Sequence, residues 1–426
     1  VAVEQASFHF DKLYSYLVPP ELAERIWPGS MVLVPFGAGS KPRMAVVLEC
    51  GEELQPDPRL KTILDAAPEE ARLTPDLIDL VHFLKDRTFC TWFEAVKAMI
   101  PYGAQYQPAR KDGRWVMQSR LSRTAEPVYT LAGELPQKPK PGPKQAAAVE
   151  ALRNGPLSRK ELAEQGISDA TLKTLCEKGV LSVEQRDKLL DLFASIPFDP
   201  RPLELSPEQQ TAYDALEPAL EARQPCGALL YGVTGSGKTA VFLKLIERTL
   251  ELGRKALVLV PEISLTPQMI RRLKQMFGSR LAVQHSALNN TERLLQWRMI
   301  QSGRADIVVG TRSAVFAPLQ DIGLIIIDEE QEHTYQSESA PRYSAHDVAK
   351  KRAAAEGSLL VFASATPCTE TYHAAQSGRL RFVTLTQRYG GRPLPTLDLI
   401  DNRAEHAPGN PRADTGRRVH ERKSNH

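Results

Sequence analysis

The chain has 426 residues, 42% hydrophobic and 25% charged, with 54 Lys+Arg against 51 Asp+Glu for a net charge of +3. At roughly 150 residues per domain this is chain enough for two to four cores, and a balance so near neutral leaves any nucleic-acid partner to be held by local patches. No run approaches the ~18 apolar residues of a membrane span and no secretory signal opens the chain, while Cys50, Cys90, Cys176, Cys226 and Cys368 form no CxxC pair, which argues against a zinc ribbon or disulfide framework and for a reduced, cytoplasmic setting.

Residues 1–105 mix short β-type runs, "SMVLVPFG" and "RMAVVLEC", with Gly/Pro turns. A periodic stretch, "TPDLIDLVHFLKDR", follows and predicts a helix capped by Thr74. This is a small α/β or barrel-like module whose opening "VAVEQ" reads as mid-strand, so a few residues are expected to precede Val1. Residues 106–143, with "PQKPKPGPKQ", predict a linker or exposed connection, because proline fits neither helix interiors nor central strands. Between 144 and 190 three short helices, with Ser158 and Ser168 as caps and Gly155, Gly166 and Gly179 as stops, precede a two-strand wing. That order predicts a winged-helix domain, a fold that contacts DNA or protein. From 203 to 401 wholly apolar strands such as "KALVLVP" and "IGLIIIDEE" alternate with amphipathic helices. They predict a doubly wound α/β domain with a parallel sheet covered on both faces.

Gly232-Val-Thr-Gly-Ser-Gly-Lys-Thr239 fits G-x-x-x-x-G-K-[ST] between a strand and a helix, the setting of a P-loop. Gly235, Ser236 and Gly237 are placed to curl backbone N–H groups around phosphates, Lys238 to reach the β/γ oxygens and Thr239 to ligate Mg²⁺. "LIIIDEEQ" ends an apolar strand in acids, with Asp328 assigned to the metal and Glu329 to activation of water. Gln209 and Gln210, behind the Ser206 cap, are candidates for an adenine edge. "LVPEISLTPQ", "HSALNNTERLLQW", "VVGTRSAVFAP" and "FASATP" complete a ring of loops at strand C-termini, where open α/β sheets bind ligands.

In order and spacing these motifs resemble the superfamily 2 helicases, and within them the primosomal protein N′ family of PriA-type replication-restart DNA helicases. The resemblance runs over roughly 1–401, back through "FDKLYSYLVP" and "VPFG". It implies a RecA-like first helicase lobe preceded by a 3′-DNA-binding domain and a winged helix. It also implies ATP and Mg²⁺ as cofactors, forked or single-stranded DNA with 3′ ends as substrate, and primosome proteins and single-stranded-DNA-binding protein as partners. A cytoplasmic, nucleoid-associated location goes with these, with no membrane.

By the same resemblance Lys238, Asp328 and Glu329 are catalytic and Gln209 contacts adenine. Pro261, Thr266, Arg312 and Ser313 hold the single strand, and Arg342 and Tyr343, in the aromatic-rich "HTYQSESAPRYSAHD", stack on it or sense it. Gln331, where the family usually has His, couples to Ser364 and Thr366. Phe10, Asp11, Gly37 and Lys61 form the pocket for a 3′-terminal nucleotide, with Asp11 accepting the 3′-OH. The family continues into a second lobe with a cysteine-rich zinc insertion. Residues 402–426 hold six basic and three acidic residues and one branched aliphatic, Val419. They are expected to be a disordered basic tail without that lobe, its zinc ligands or its arginine. The alternative is then a fork-, 3′-end- and ATP-binding fragment without productive unwinding.

Overall fold

The structure, a computed structural model, describes residues 1–4, 8–51, 59–101, 105–121, 125–132, 142–153, 155–187, 196, 198–199 and 203–388. The proline-rich centre of the expected linker and the expected tail, 402–426, lie outside them.

The N-terminal module is an antiparallel sheet of β1 (Ala2–Val3), β2 (Met31–Phe36), β3 (Lys41–Val46) and β4 (Asp65–Ala66), in the order β1-β3-β2-β4. Met31 and Leu33 point into one apolar cluster and Val32 and Val34 into another, so the run "MVLV" is apolar throughout because both faces are covered. Helices α1 (Pro75–Arg87) and α2 (Trp92–Met99) cover the first face. Thr74 takes the N-cap position of α1 with extended backbone but no side-chain bond, while Thr91 and Glu94 form a capping box on α2.

The segment expected as a linker is largely strand. β5 (Tyr106–Lys111) and β6 (Arg114–Ser119) pair as a hairpin, and β7 (Ala125–Leu131) becomes the central strand of the next unit. The Asp112-Gly113 turn signal inside a polar, weakly alternating stretch was the clue the composition hid. Downstream come α3 (Pro143–Leu152), β8 (Leu157–Ser158), α4 (Arg159–Glu164), α5 (Asp169–Glu177) and β9 (Leu181–Asp187). The sheet order is β8-β7-β9, so this unit's small sheet has a third strand drawn from upstream. β8 reaches only Val128 and Tyr129 of β7, which leaves Pro127 beyond it with no ladder bond to supply on that side. Leu152, Leu162, Leu172, Leu175 and Val180 close the core.

The largest layer is a seven-stranded parallel sheet. It comprises β10 (Cys226–Gly232), β11 (Lys255–Leu259), β12 (Leu281–Gln284), β13 (Ile307–Gly310), β14 (Ile322–Asp328), β15 (Leu359–Ser364) and β16 (Arg381–Leu385). Their order is β12-β13-β11-β14-β15-β10-β16. Leu324 and Ile326 face one apolar cluster and Ile325 and Ile327 the other, the two-sided burial expected of a doubly wound sheet. On one face lie α6 (Pro207–Glu221), α7 (Lys238–Glu251) and α8 (Pro267–Phe277), and on the other α9 (Asn290–Gln301) and α10 (Ala345–Glu356), with α11 (Thr369–Gln376) before β16. The two outermost strands are the ones motif reading passed over, one four residues long and one half exposed.

The N-terminal module and this sheet share a single apolar cluster, from Leu33 and Leu77 to Phe316 and Val348. Arg352, 2% exposed, donates to the carbonyls of Val315, Ala317 and Leu319 and reaches Asp76 Oδ2 on α1 at 3.1 Å. Gln301 Nε2 donates to the carbonyl of Arg72 at 2.7 Å. Among the described residues no helix is long and apolar enough to cross a membrane.

Candidate nucleotide and DNA sites

The P-loop turns from β10 into α7, with Gly235 and Gly237 at φ of 82° and 81°, a conformation a side chain would strain. A Cβ on Gly232 would lie 2.7 Å from Ser236 Oγ, so the loop closes tightly on its own first residue. Lys238 is buried and its Nζ donates to the Gly232 carbonyl at 2.9 Å. The loop walls a cavity of about 420 Å³ together with Leu203, Glu204, Gln209, Arg272, Asp328 and Glu329.

Gln209 stands in this wall with its amide bonded at either end. Oε1 accepts from Ser206 N at 3.0 Å, completing a capping box on α6, and Nε2 donates to the Ser236 carbonyl at 2.9 Å. Gln209 is buried and clamps α6 to the P-loop, and its amide keeps one further N–H and one lone pair beside the cavity. Gln210 turns outward to Asp214.

Across the cavity β14 ends at Asp328, whose carboxyl is pushed up to about 6 by burial and by the neighbouring Glu329 charge, against the pull of Lys238. Glu329 sits at a φ of 45°, where the chain turns sharply enough to present two acids to one space. The third acid, Glu330, points the other way and is 2% exposed. It accepts from Cys368 N at 2.7 Å and from Thr371 Oγ1 at 3.1 Å and lies 3.5 Å from His346 Nε2. Burial raises its pKa, but the bonds from His346, Cys368 and Thr371 win and hold it below the usual carboxylate range. Gln331 Oε1 accepts from Ser364 Oγ at 2.5 Å, and the same hydroxyl accepts from Thr366 N at 2.8 Å. The expected contact from Gln331 to the Ser-Ala-Thr segment is thus present as geometry.

The loops after β11, β12 and β13 meet around a second cavity of about 670 Å³, lined by Glu262, Leu265, Arg271, His285, Ser286 and Thr311 among others. Thr266 caps α8 by accepting from Met269 N, and Thr266 and Ser313 are exposed, whereas Pro261 is buried. Arg312 donates to the carbonyls of Thr334 and Gln336, at 3.1 and 2.7 Å. Its guanidinium lies 5.8 Å from the Tyr343 ring centroid. Tyr343 is 7% exposed and packs edge-on against Phe316 at 4.7 Å, so it is an interior prop and not an open stacking platform. Arg342 beside it is exposed. Tyr335 is fully buried and donates its hydroxyl to the Asp328 carbonyl at 2.7 Å, tying this aromatic loop to the acidic strand end.

In the N-terminal module a cavity of about 460 Å³ is lined by Phe10, Tyr14, Ser15, Tyr16, Pro35, Phe36, Gly37, Arg59, Leu60 and Lys61. Lys61 Nζ donates to the Gly37 carbonyl at 2.8 Å, and Tyr14 meets Phe36 edge-on at 5.1 Å. Asp11 is not in this wall. Its carboxylate, 4% exposed, pairs with Lys85 at 2.6 Å and accepts from Trp92 N at 3.0 Å, fastening the segment to α1 and α2. Ser15 and Tyr16 line the cavity, and the Tyr16 hydroxyl donates to the Pro35 carbonyl at 3.1 Å.

Two family models and a set of relatives match these sites. A 3′DNA-binding domain (3′BD) model matches residues 1–101 and a DEAD/DEAH box helicase model residues 206–374. The replication restart protein PriA of Bacillus subtilis is 32% identical over 471 residues, covering 96% of this chain and 58% of the relative. That of Chlamydia trachomatis is 32% identical over 411 residues, with 93% and 53% covered. That of Treponema pallidum is 42% identical over 231 residues, with 54% and 34% covered. Over most of its length the chain is thus similar to replication restart proteins named PriA. It spans somewhat more than half the length of the first two relatives.

The match to a helicase domain implies use of a nucleotide and Mg²⁺, and the cavity fits both. The buried Ser236 hydroxyl has no partner, and the Lys238 ammonium rests on a carbonyl, so donors for phosphate are at hand. Thr239 and Asp328 face the same space. Among the described residues no group of three His, Cys, Asp or Glu is placed to hold a metal by itself. That suits Mg²⁺, which takes one or two protein oxygens and relies on phosphates and water for the rest.

Motif reading overlooked Glu330, Tyr335, Arg272, Ser15 and Tyr16. Glu330 had a signal: three successive acids cannot all face one cleft, and the odd one must turn inward and find donors.

Proposed function

We propose that this chain carries the ATP-hydrolysing, fork-recognising part of a replication-restart DNA helicase that moves 3′→5′ and readies abandoned forks for helicase reloading. What carries the reading is one juxtaposition: a P-loop cavity bounded by Lys238, Asp328 and Glu329 on a chain whose first 101 residues match a 3′DNA-binding domain. Lys238 and the P-loop amides take the triphosphate, Thr239 and Asp328 the Mg²⁺, and Glu329 orients the attacking water. Gln331, Ser364 and Thr366 relay between nucleotide and DNA. Thr266, Arg312, Ser313 and Arg342 serve the single strand. Phe10, Gly37 and Lys61, with Ser15 and Tyr16, receive the 3′-terminal nucleotide. The three-helix unit with its small sheet acts as a winged helix on duplex DNA. Primosome proteins and single-stranded-DNA-binding protein are the partners this role calls for, in the cytoplasm at the nucleoid.

The test is steady-state ATP hydrolysis by the 426-residue chain, with and without a forked DNA bearing a 3′ end, beside Lys238→Ala. Fork-stimulated turnover that this substitution abolishes is the expected result. Turnover no higher than the variant's, with fork binding retained, would reduce the chain to a DNA-recognition unit.

A further inference from the structure

The β5–β6 hairpin falls between the two family matches and belongs to neither. Its turn residues, Asp112 and Gly113, have φ of 50° and 76°, the type I′ geometry that suits the twist of paired strands. The turn therefore holds register at an exposed tip. There Lys111 stands directly opposite Arg114, and Arg110 opposite Trp115.

Like charges in opposed positions destabilise a strand pair. Among the described residues neither Lys111 nor Arg114 has an ion-pair partner, and both are exposed, so the pair is open to an anion from outside. The Arg110 guanidinium lies 5.7 Å from the Trp115 ring centroid. That face of the indole is occupied: it steadies a cation and is not offered to an unpaired base. From Tyr106 to Arg120 four basic residues face one acid, in a chain whose residues 1–401 are neutral overall. The hairpin is rooted by Met117 N, which donates to Asp65 Oδ2 at 2.7 Å, on the sheet whose β2–β3 turn walls the Gly37 pocket.

We propose that the tip of this hairpin, through Arg110, Lys111 and Arg114, grips the phosphate backbone of double-stranded DNA independently of sequence. A two-stranded ribbon fits the major groove, and fixed cations on it meet the phosphates that border it. The inference rests on the reading of the chain as a fork-binding protein and adds a hold on a duplex arm.

The experiment is fluorescence anisotropy of the whole chain with a blunt duplex of about 20 base pairs, a fork with a 3′ end at its junction, and oligo-dT. Salt is varied from about 50 to about 200 mM. Replacing Arg110, Lys111 and Arg114 together by Ser is expected to weaken duplex binding about tenfold or more. The slope of log K against log salt should become shallower by about two to three, at ~0.9 per phosphate contact. The pair Lys111→Arg with Arg114→Lys should keep the original slope. An unchanged slope, or no duplex binding at all, with fork binding intact overturns the hairpin contact and leaves the fork reading standing. A loss confined to oligo-dT overturns the assignment to duplex. An unaltered chain that binds neither duplex nor fork overturns both.

Discussion

Gln331 joins Ser364 to Glu329: its Oε1 accepts from the Ser364 hydroxyl at 2.5 Å while its Nε2 donates to Glu329 Oε2 at 2.9 Å. One side chain thus links the end of β14 to the end of β15, and with Thr366 N on the same hydroxyl the three groups move as a set. Gln331→Ala removes the link without touching the P-loop. Nucleotide affinity should stay within about threefold, while fork-stimulated turnover falls about tenfold. Equal losses in affinity and turnover, measured by nucleotide titration and steady-state hydrolysis, would count against a relay.

The two bonds of the buried Gln209 amide predict a different phenotype. Gln209→Ala leaves Ser206 N and the Ser236 carbonyl without partners, at a cost of about 1–3 kcal/mol. The melting temperature should drop even without nucleotide. A residue acting only on adenine would leave the nucleotide-free protein as stable as before.

Asp328 sets a pH dependence. Its folded-state pKa is raised from 3.8 to about 6, so near pH 5 the nucleotide-free protein holds a neutral acid where Mg²⁺ needs a carboxylate. Binding Mg²⁺–nucleotide then releases a proton, and affinity should fall by up to ~10-fold per pH unit below about 6. Above pH 7 it should be flat. Titration of a fluorescent nucleotide between about pH 5 and 8 reads this directly, and Asp328→Asn should remove the slope.

Asp11 and Lys61 should separate cleanly. Asp11→Ala strands Lys85 and Trp92 N, and loss of one partner of a pair this buried costs about 3 kcal/mol. Forks of every kind should be bound less well as the module loosens, and the melting temperature should fall. Lys61→Ala, at the edge of the pocket, should leave stability nearly unchanged and weaken only forks with a 3′ end at the junction. Anisotropy on gapped and ungapped forks, with a thermal melt of each variant, distinguishes the two.

The motor sheet was readable in the sequence because two-sided burial writes long apolar runs, as in "LIIID", and because the P-loop needs its glycines at fixed spacing. Short or half-exposed strands such as Leu281–Gln284 and Arg381–Leu385 carry no such run. Site residues were readable by type and less so by direction. Asp11, Gln209 and Tyr343 have the chemistry their expected roles ask for, yet each is turned inward to a partner far along the chain. Spacing says which element bears a side chain. It does not say which of several nearby polar residues meets the cleft, and Ser15 lines the cavity where Asp11 does not.

The apolar cluster shared by α1, α2 and the seven-stranded sheet makes the N-terminal helices an outer layer of the parallel-sheet domain itself. A shortened chain that starts at α6 would bare Phe316 and Val348 and strip Arg352 of Asp76, leaving a sticky face. An N-terminal module and a parallel-sheet domain joined this way should melt in one transition and resist separation by protease.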